Sequence, residues 1–497
     1  MMNEHGKSDS PVVPAKPSNK ADAAEVVEER GLTKGNEIQQ NTLRTQSRVK
    51  DVPSALDRVR EVAKRDKKVR FTALLHHVTI ERLREAFLGI KKNASAGVDG
   101  VTWHQYEQDL ESNLTDLHSR LHRGAYRAKP SRRAYIPKGD GRKRPLGIAA
   151  LEDKIVQRAV GEVLNAIYEA DFLGFSYGFR PGRRPHEALD ALAAAIRFKK
   201  VSFVLDADIR SYFDSIDHKW METFIEHRIA DKRILQLISK WLKAGVIEEG
   251  QWRATEEGSP QGASISPLLS NVYLHYVLDL WAHQWRNRHA RGDVCIIRWA
   301  DDFVVGFQYQ SDAKRFLAEL GERFEKFSLA LHPEKTRLIR FGRFAIRDCK
   351  RFDGRTKPET FDFLGFTHCC SVNRNGKFKI VRKSIRKRFA AKLRAAKGEL
   401  RTRMHQPVKE QGKWLRSVLL GYFAYHAVPG NSERIGEFRT QIARMWYKTL
   451  RRRSQKSSLT WERMGKLVKR WLPPARILHP WPEKRFLATT RGRSPVR

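Results

Sequence analysis

The chain has 497 residues, and 96 Lys and Arg against 56 Asp and Glu leave a formal net charge of +40. A surplus of that size opposes compaction unless a polyanion offsets it, so nucleic acid is the leading partner class and an anionic membrane surface the second. Cys295, Cys349, Cys369 and Cys370 are too few for a disulfide scaffold and form no C-x-x-C pair. The N-terminus has no signal-peptide core and no run reaches the ~18 apolar residues of a membrane span, so the expectation is a soluble, cytoplasmic protein.

Residues 1–50 are polar and Pro-punctuated, which predicts a disordered leader. Helical patterning starts near Val52. "TIERLREAFLGIKK" then sets Ile80, Leu83, Phe87 and Ile90 on one helical face, before "NASAGVDGVT" breaks it with two glycines. "RAYIPKGDGRKRPLGIAA" reads as two short strands around a basic Gly-containing turn, a hairpin. Helices follow around 152–170, 186–198 and 217–243, and strands around 202–208, 294–299, 303–308 and 336–341. The mixture predicts an α+β fold with a partly antiparallel sheet. From Lys383, "KSIRKRFAAKLRAAKGELRTR" places Ile385, Phe389, Leu393, Ala396 and Leu400 on one face and bases almost everywhere else, which suits a helix facing RNA or DNA. Residues 451–497 are again very basic, with Trp461, Trp471 and Trp481 interleaved.

Two stretches carry the chemistry. "IIRWADDFVVGF" sets Asp301 and Asp302 between apolar runs, and "SFVLDADIRSYFDSIDH" ends an apolar strand on Asp206 and Asp208. Paired carboxylates are costly among apolar residues unless a positive partner offsets them. Asp301 and Asp302 alone read equally as an ordinary hairpin turn with an acidic tip. Together, two strand ends bearing carboxylates are what a hard divalent ion needs, with oxygen ligands completed by substrate phosphates. Two such ions side by side activate an attacking hydroxyl and stabilise a leaving pyrophosphate.

At these residues the sequence resembles reverse transcriptases. "RWADDFVVGF" is similar to their Y-A-D-D signature with Trp299 in the tyrosine position, and "DADIRSYFDSIDH" to their first aspartate motif. "YIPKGDGRKRPLGI", "SYGFRPGRRPHEAL", "GSPQGASISPLLSNVYLH", "LALHPEKTRLIRFG" and "FDFLGF" match further motifs in the family's order. "AFLGIKKNASAGVDGVTWHQY" and "KWLRSVLLGYFAYHAVPGN" resemble the N-terminal extension and the maturase region of bacterial group II intron-encoded proteins. The resemblance covers about residues 70–450.

It implies a right-hand polymerase with an antiparallel palm sheet, followed by an α-helical thumb or maturase domain. The expected divisions are a leader (1–50), N-terminal extension and fingers (51–200), palm (201–370), thumb (371–450) and a basic tail (451–497) with room for a short DNA-binding segment. The resemblance also implies two Mg²⁺ ions on Asp208, Asp301 and Asp302, with the Ile209 carbonyl as an additional ligand. Lys138, Arg144, Phe213, Gln261 and Lys335 would face the nucleotide, Phe213 as the ring that excludes a 2′-hydroxyl. Leu364 and Gly365 would form the primer grip. RNA would meet Arg180, Arg183 and Arg184, with Tyr177 and Phe179 packing beside it, and also Arg386, Lys387, Arg388 and Lys392.

The implied function is an RNA-directed DNA polymerase that also binds its group II intron RNA to assist splicing and retromobility. Its partners would be that RNA, a primed RNA template, target DNA and dNTPs, without a membrane; a homodimer is compatible with the sequence. Use at a bacterial nucleoid follows. No cysteine after Cys370 matches the H-N-H endonuclease of many relatives, so that domain is expected to be absent. Two rivals stand beside this reading: an RNA-binding splicing factor with a dispensable polymerase core, and a reverse transcriptase recruited to defence or diversification without an intron.

Overall fold

The computed structural model describes residues 55–137, 143–248, 251–254, 257–258, 262–352, 354, 356–453 and 459–485. Helices α1 (Ala55–Arg65), α2 (Ile80–Leu88), α3 (Trp103–Gln108) and α4 (Leu110–His122) open it. Thr79 caps α2 by accepting from the Arg82 amide, and Thr102 with Gln105 forms a reciprocal cap on α3. The expected hairpin follows as β1 (Ser131–Pro137) and β2 (Lys143–Ile148), paired antiparallel from Arg132↔Ile148 to Pro137↔Lys143.

Next come α5 (Leu151–Asp171), α6 (Pro185–Phe198), β3 (Phe203–Asp208), α7 (His218–Glu226) and α8 (Lys232–Lys243). Pro185 suits the first turn of α6, where its missing N–H costs nothing. The single helix expected over 217–243 is two. Asp231 breaks the run because its carboxylate accepts from the Leu74, Leu75 and Arg233 amides, which ties the start of α8 to the N-terminal region. A short hairpin unforeseen in the sequence, β4 (Val246–Glu248) with β5 (Gln251–Arg253), extends the first sheet in the order β2-β1-β4-β5; its β1–β4 pairing is parallel.

Helices α9 (Ser266–Leu274) and α10 (Leu280–Arg288) are joined by a π-helical turn, His275–Asp279. Strands β6 (Val294–Trp299) and β7 (Asp302–Phe307), helix α11 (Gln310–Lys326) and strand β8 (Arg337–Arg340) complete an antiparallel central sheet in the order β6-β7-β3-β8. Its apolar residues alternate between two cores. Leu205, Ile296, Phe303 and Val305 join the large core with α5, α9 and α11. Val204, Ile297, Val304 and Ile339 face a second core with α6.

After α12 (Ala345–Phe352), strands β9 (Phe361–Phe363), β10 (Phe366–Val372) and β11 (Phe378–Ser384) form a third, antiparallel sheet. It carries the chain across residue 370, where the palm was expected to end. Helices α13 (Arg386–Thr402), α14 (Val408–His426), α15 (Ser432–Arg451) and α16 (Trp461–Trp471) close the described chain around their own core. Helix α13 starts later than the basic run suggested, and its expected face buries Phe389, Ala396 and Leu400. No helix among the described residues is long and apolar enough to cross a membrane.

Candidate active site

Strand alternation delivers the carboxylates. Asp206 and Asp208 share the face of Val204, and Asp302 shares the face of Val304, because every second residue points the same way. In the β3–β7 register Asp208 stands directly opposite Asp302. Asp301 lies in the two-residue turn between Trp299 and Asp302, which pair across the β6–β7 hairpin. Burial pushes the Asp302 carboxyl well above its usual range, and the charges of Asp301, Asp206 and Asp208 push it further, while Arg388 pulls it back. Asp206 is raised to about 6, chiefly by burial, against the opposing Arg337 guanidinium, which donates to it at 3.3 Å.

The turn is strained and braced. Ala300 has φ of 55°, a left-handed conformation that costs a residue with a Cβ about 1–2 kcal/mol. Arg298, fully buried, holds it in place with all five of its N–H donors engaged. Nη1 donates to the Ala300 carbonyl at 2.9 Å and to Asn271 Oδ1 at 3.0 Å. Nε and Nη2 donate to Asp279 at 2.7 and 2.6 Å, and Nη2 also donates to Ser176 Oγ at 2.7 Å. The π-helical turn supplies Asp279. The 175–177 segment bonds along β6 through Arg298 N to Phe175 O and Tyr177 N to Arg298 O, both at 2.9 Å. Gly178 lies so close to the turn that a Cβ there would fall 2.3 Å from the Ala300 nitrogen, and its carbonyl accepts from Asn271 Nδ2 at 2.7 Å.

Lys335 and the Leu364–Gly365 turn lie on the carboxylate side, whereas Ile209 and Phe213 pack against the large core. Lys335 donates to Asp208 Oδ2, and the Asp208 carbonyl accepts from the His332 amide at 2.8 Å. Ile209 is buried and bridges to Leu331. Phe213 is half-buried in the turn after β3, edge-on to Tyr212. Gly258, from the "GSPQG" stretch, lies against the carbonyl of Phe213, where a Cβ would approach to 2.9 Å. Leu364 and Gly365 form the β9–β10 turn with φ of 46° and 80°, as a two-residue hairpin turn demands. Tyr425 Oη donates to the Leu364 carbonyl at 2.8 Å, and a Cβ on Gly365 would lie 3.7 Å from Arg388 Nη1. Arg388 therefore stands between this turn and the carboxylates.

Elsewhere the expectations meet corrections or fall outside the structure. Arg180, expected to meet RNA, is instead turned inward: it is buried, paired with Glu169 at 2.9 Å, and donates to the Leu173 and Ser176 carbonyls at 2.8 Å each. Tyr177 is buried as well, with the Arg183 guanidinium 5.4 Å above its ring, whereas Phe179 is exposed with φ of 56°. Arg184 is exposed at the start of α6. Arg386, Lys387 and Arg388 are exposed on the first turn of α13, and Lys392 is half-buried one turn further on. Lys138 and Gln261 lie outside the described residues; of Arg144 only the backbone, opposite Ile136, is described.

The sequence reading passed over Arg298, Asp279, Asn271 and Tyr425. A lone base in the apolar run "VCIIRW" and a lone acid in "YVLDLW" are the signal that would have paired the first two.

Among the described residues no three His, Cys, Asp or Glu side chains close around one point as a ready-made metal cage. The donor set nonetheless fits a hard divalent ion, because such an ion typically takes one or two carboxylates and leaves other positions to water and substrate phosphate. Lys335 on Asp208 and Arg388 toward Asp302 show that these carboxylates gather positive charge.

The reverse transcriptase (RNA-dependent DNA polymerase) family matches residues 136–368, the stretch that holds all of these carboxylates. The protein YkfC of Escherichia coli K12 is 37% identical over 273 residues, which cover 48% of this chain and 71% of YkfC. The chain belongs to the reverse transcriptase family. Group II intron-encoded protein LtrA of Lactococcus lactis subsp. cremoris is 38% identical to this reverse transcriptase over 200 residues, 39% of the chain and 33% of LtrA. Nuclear intron maturase 1, mitochondrial, of Arabidopsis thaliana is 27% identical over 92 residues, 18% of the chain and 13% of that protein. These likenesses set the chain among the group II intron-encoded reverse transcriptases, the lineage its motifs resemble. Reverse transcriptases use divalent metal ions.

Proposed function

We propose that the chain copies RNA into DNA from a primer 3′ end, and that it also binds the RNA of its parent group II intron to assist splicing and mobility. The observation that carries the polymerase reading is the cross-strand pairing of Asp208 with Asp302 beside the braced Asp301 turn. In this reading residues 51–200 form the N-terminal extension and fingers, 201–370 the palm and the helices from Arg386 the thumb. The β9–β11 sheet joins palm to thumb.

Asp208, Asp301 and Asp302, with the Ile209 carbonyl, would hold two Mg²⁺ ions. Bound there, the ions would lower the pKa of the attacking 3′-hydroxyl and neutralise the departing pyrophosphate. The protein's own residues do the rest. Lys335, already on Asp208, would move to a triphosphate oxygen when that carboxylate is otherwise engaged. Phe213 would stand beneath the incoming sugar, where a ring leaves no room for a 2′-hydroxyl. The Leu364–Gly365 turn would set the primer backbone, and Arg388 would neutralise a primer phosphate beside it. Lys138, Arg144 and Gln261 would complete the nucleotide pocket.

Splicing assistance is a binding role. The basic face of α13 would grip intron RNA and favour its competent fold while the RNA supplies the chemistry. Asp301→Ala tests the division of labour. It should abolish cDNA synthesis on a primed RNA template with dNTPs and Mg²⁺ while leaving intron-RNA affinity and splicing assistance near wild type. Loss of both together would sink the proposal. Splicing assistance by a wild-type protein that makes no cDNA would favour a pure splicing factor.

A further inference from the structure

Strand β3 runs from the catalytic end of the central sheet to an opposite end that none of the roles above uses. Five steps from Asp208 to Phe203, at about 3.3 Å each, separate the two ends by ~17 Å. At the far end Arg340 of edge strand β8 pairs with Phe203. The chain continues into "FGRFAIRDCKRF", which holds Arg343, Arg347, Lys350 and Arg351 against one acid, Asp348.

Three phenylalanines at this end face solvent. Phe198 is 62%, Phe344 41% and Phe352 60% exposed. Phenylalanine has no polar group to justify such exposure, and three of them at one end of the sheet are of the kind that marks a binding surface. A guanidinium group lies near each ring. Arg197 lies 5.7 Å from the Phe198 centroid, Arg347 5.0 Å from Phe344, and Arg351 5.2 Å from Phe352. Arg340 sits between two rings, 5.4 Å from Phe203 and 5.2 Å from Phe352. Arg343 Nη2 donates to the Arg197 carbonyl at 3.0 Å, joining the α12 and α6 parts into one surface. Two acids temper it: Asp348 accepts from Arg347 at 2.9 Å, and Glu483 pairs with Arg197.

We propose that this surface, formed by the end of α6, edge strand β8 and α12, is a second RNA-binding site that holds an unpaired RNA segment away from the catalytic carboxylates. The aromatic faces would stack bases and the interleaved guanidinium groups would meet phosphates, the combination by which proteins hold single strands without reading sequence. Duplex RNA hides its base faces and offers these rings nothing to stack on. Charge and rings together decide the occupant: bases outnumber acids across the patch, which disfavours a basic protein face and favours a polyanion, and the exposed rings favour one with π-faces. The inference deepens the RNA partnership proposed above and rests on it.

The test uses the full chain and four readouts: affinity for a 20-nucleotide unstructured RNA, affinity for a hairpin duplex of equal charge, affinity for phosphatidylserine vesicles, and primer extension on a short primed template. Phe344→Ala with Phe352→Ala should weaken unpaired-RNA binding about 10-fold to 100-fold, leave duplex binding within about twofold, and leave primer extension unchanged. Phe344→Tyr with Phe352→Tyr should restore the affinity, since stacking survives. Arg343→Gln with Arg347→Gln and Arg351→Gln should flatten the salt dependence by about two in the log–log slope, at ~0.7 per lost phosphate contact. Unchanged affinity for unpaired RNA in both sets would overturn the proposal, as would equal losses for unpaired and duplex RNA, or a loss confined to vesicles. Failure of the wild type to extend a primer would strike the polymerase reading alone, because the binding readouts do not depend on it.

Discussion

Arg298 and Asp279 allow stability and catalysis to be separated. Both side chains are fully buried, and their two contacts at 2.6 and 2.7 Å make a bidentate pair. Asp279→Ala leaves the guanidinium buried without its counter-charge, a change worth about 3–5 kcal/mol. Asp279→Asn keeps an acceptor but loses the charge, and should cost about 1.5–3 kcal/mol. The double change Arg298→Met with Asp279→Leu removes both charges and fills the space with apolar atoms, so much of the stability should return. The brace on the Ala300 carbonyl does not return with it. Releasing a left-handed alanine lets the turn relax by about 1–2 kcal/mol, and moving Asp301 by that relaxation should lower kcat by roughly 5-fold to 30-fold. The assay is a urea melting midpoint beside single-turnover primer extension, with KM for dNTP followed in parallel. A double variant that regains both stability and kcat would refute the idea that this network positions the turn.

The other expectations are shorter. Arg388→Ala should depress primer extension by raising KM for the primed template, because Arg388 stands between the Leu364–Gly365 turn and Asp302. Arg386→Ala with Lys387→Ala should weaken RNA binding and leave extension of a short primer intact. Identical effects from the two would remove the distinction. His186, whose Nε2 is 2.8 Å from the Tyr425 carbonyl, is pushed down to about 3 by burial, and His479 stacked on it is lowered too. Both are neutral when docked and protonate near 6.5 when released, so docking of residues 472–485 is complete above about pH 6.5 and weakens as pH falls toward 3. Hydrogen exchange at the Leu478 and His479 amides, both bonded to the Ala427 carbonyl, should report it; protection that stays flat from pH 7 to pH 4 would contradict the sign.

Much of the catalytic face was legible because strand alternation is a strict rule. Once Asp206, Asp208 and Asp302 are set at the ends of apolar runs, period two puts them on one side, and the structure pairs Asp208 with Asp302. Long-range partnerships were not legible. Arg180 looked like one base among several suited to RNA, yet Glu169 waits one helix back to draw it inward. The β10–β11 hairpin was hidden by its bases. "NRNGK" is a turn signal, but the lysines and arginines around it read more readily as the approach to a basic helix. The run over 217–243 looked continuous because nothing local shows that Asp231 serves the Leu74 and Leu75 amides. Of the expected RNA contacts, charge alone could nominate candidates; it carries no information about which way a long side chain turns.

The last turn of α14 has a consequence for how such a protein can be divided. Tyr425 holds the Leu364 carbonyl and the His186 ring, while Tyr422 and His426, with Asn431 just beyond the helix, gather on Ser384 at the end of β11. Helix α6 and the β9–β11 sheet are therefore fastened to the helical bundle at three places by one stretch of ten residues, 422–431. Cutting near 370 splits β10, and cutting after β11 strips Leu364 and Ser384 of their fastenings. A cut on either side of residues 422–431 therefore breaks hydrogen bonds that join the bundle to the rest of the chain.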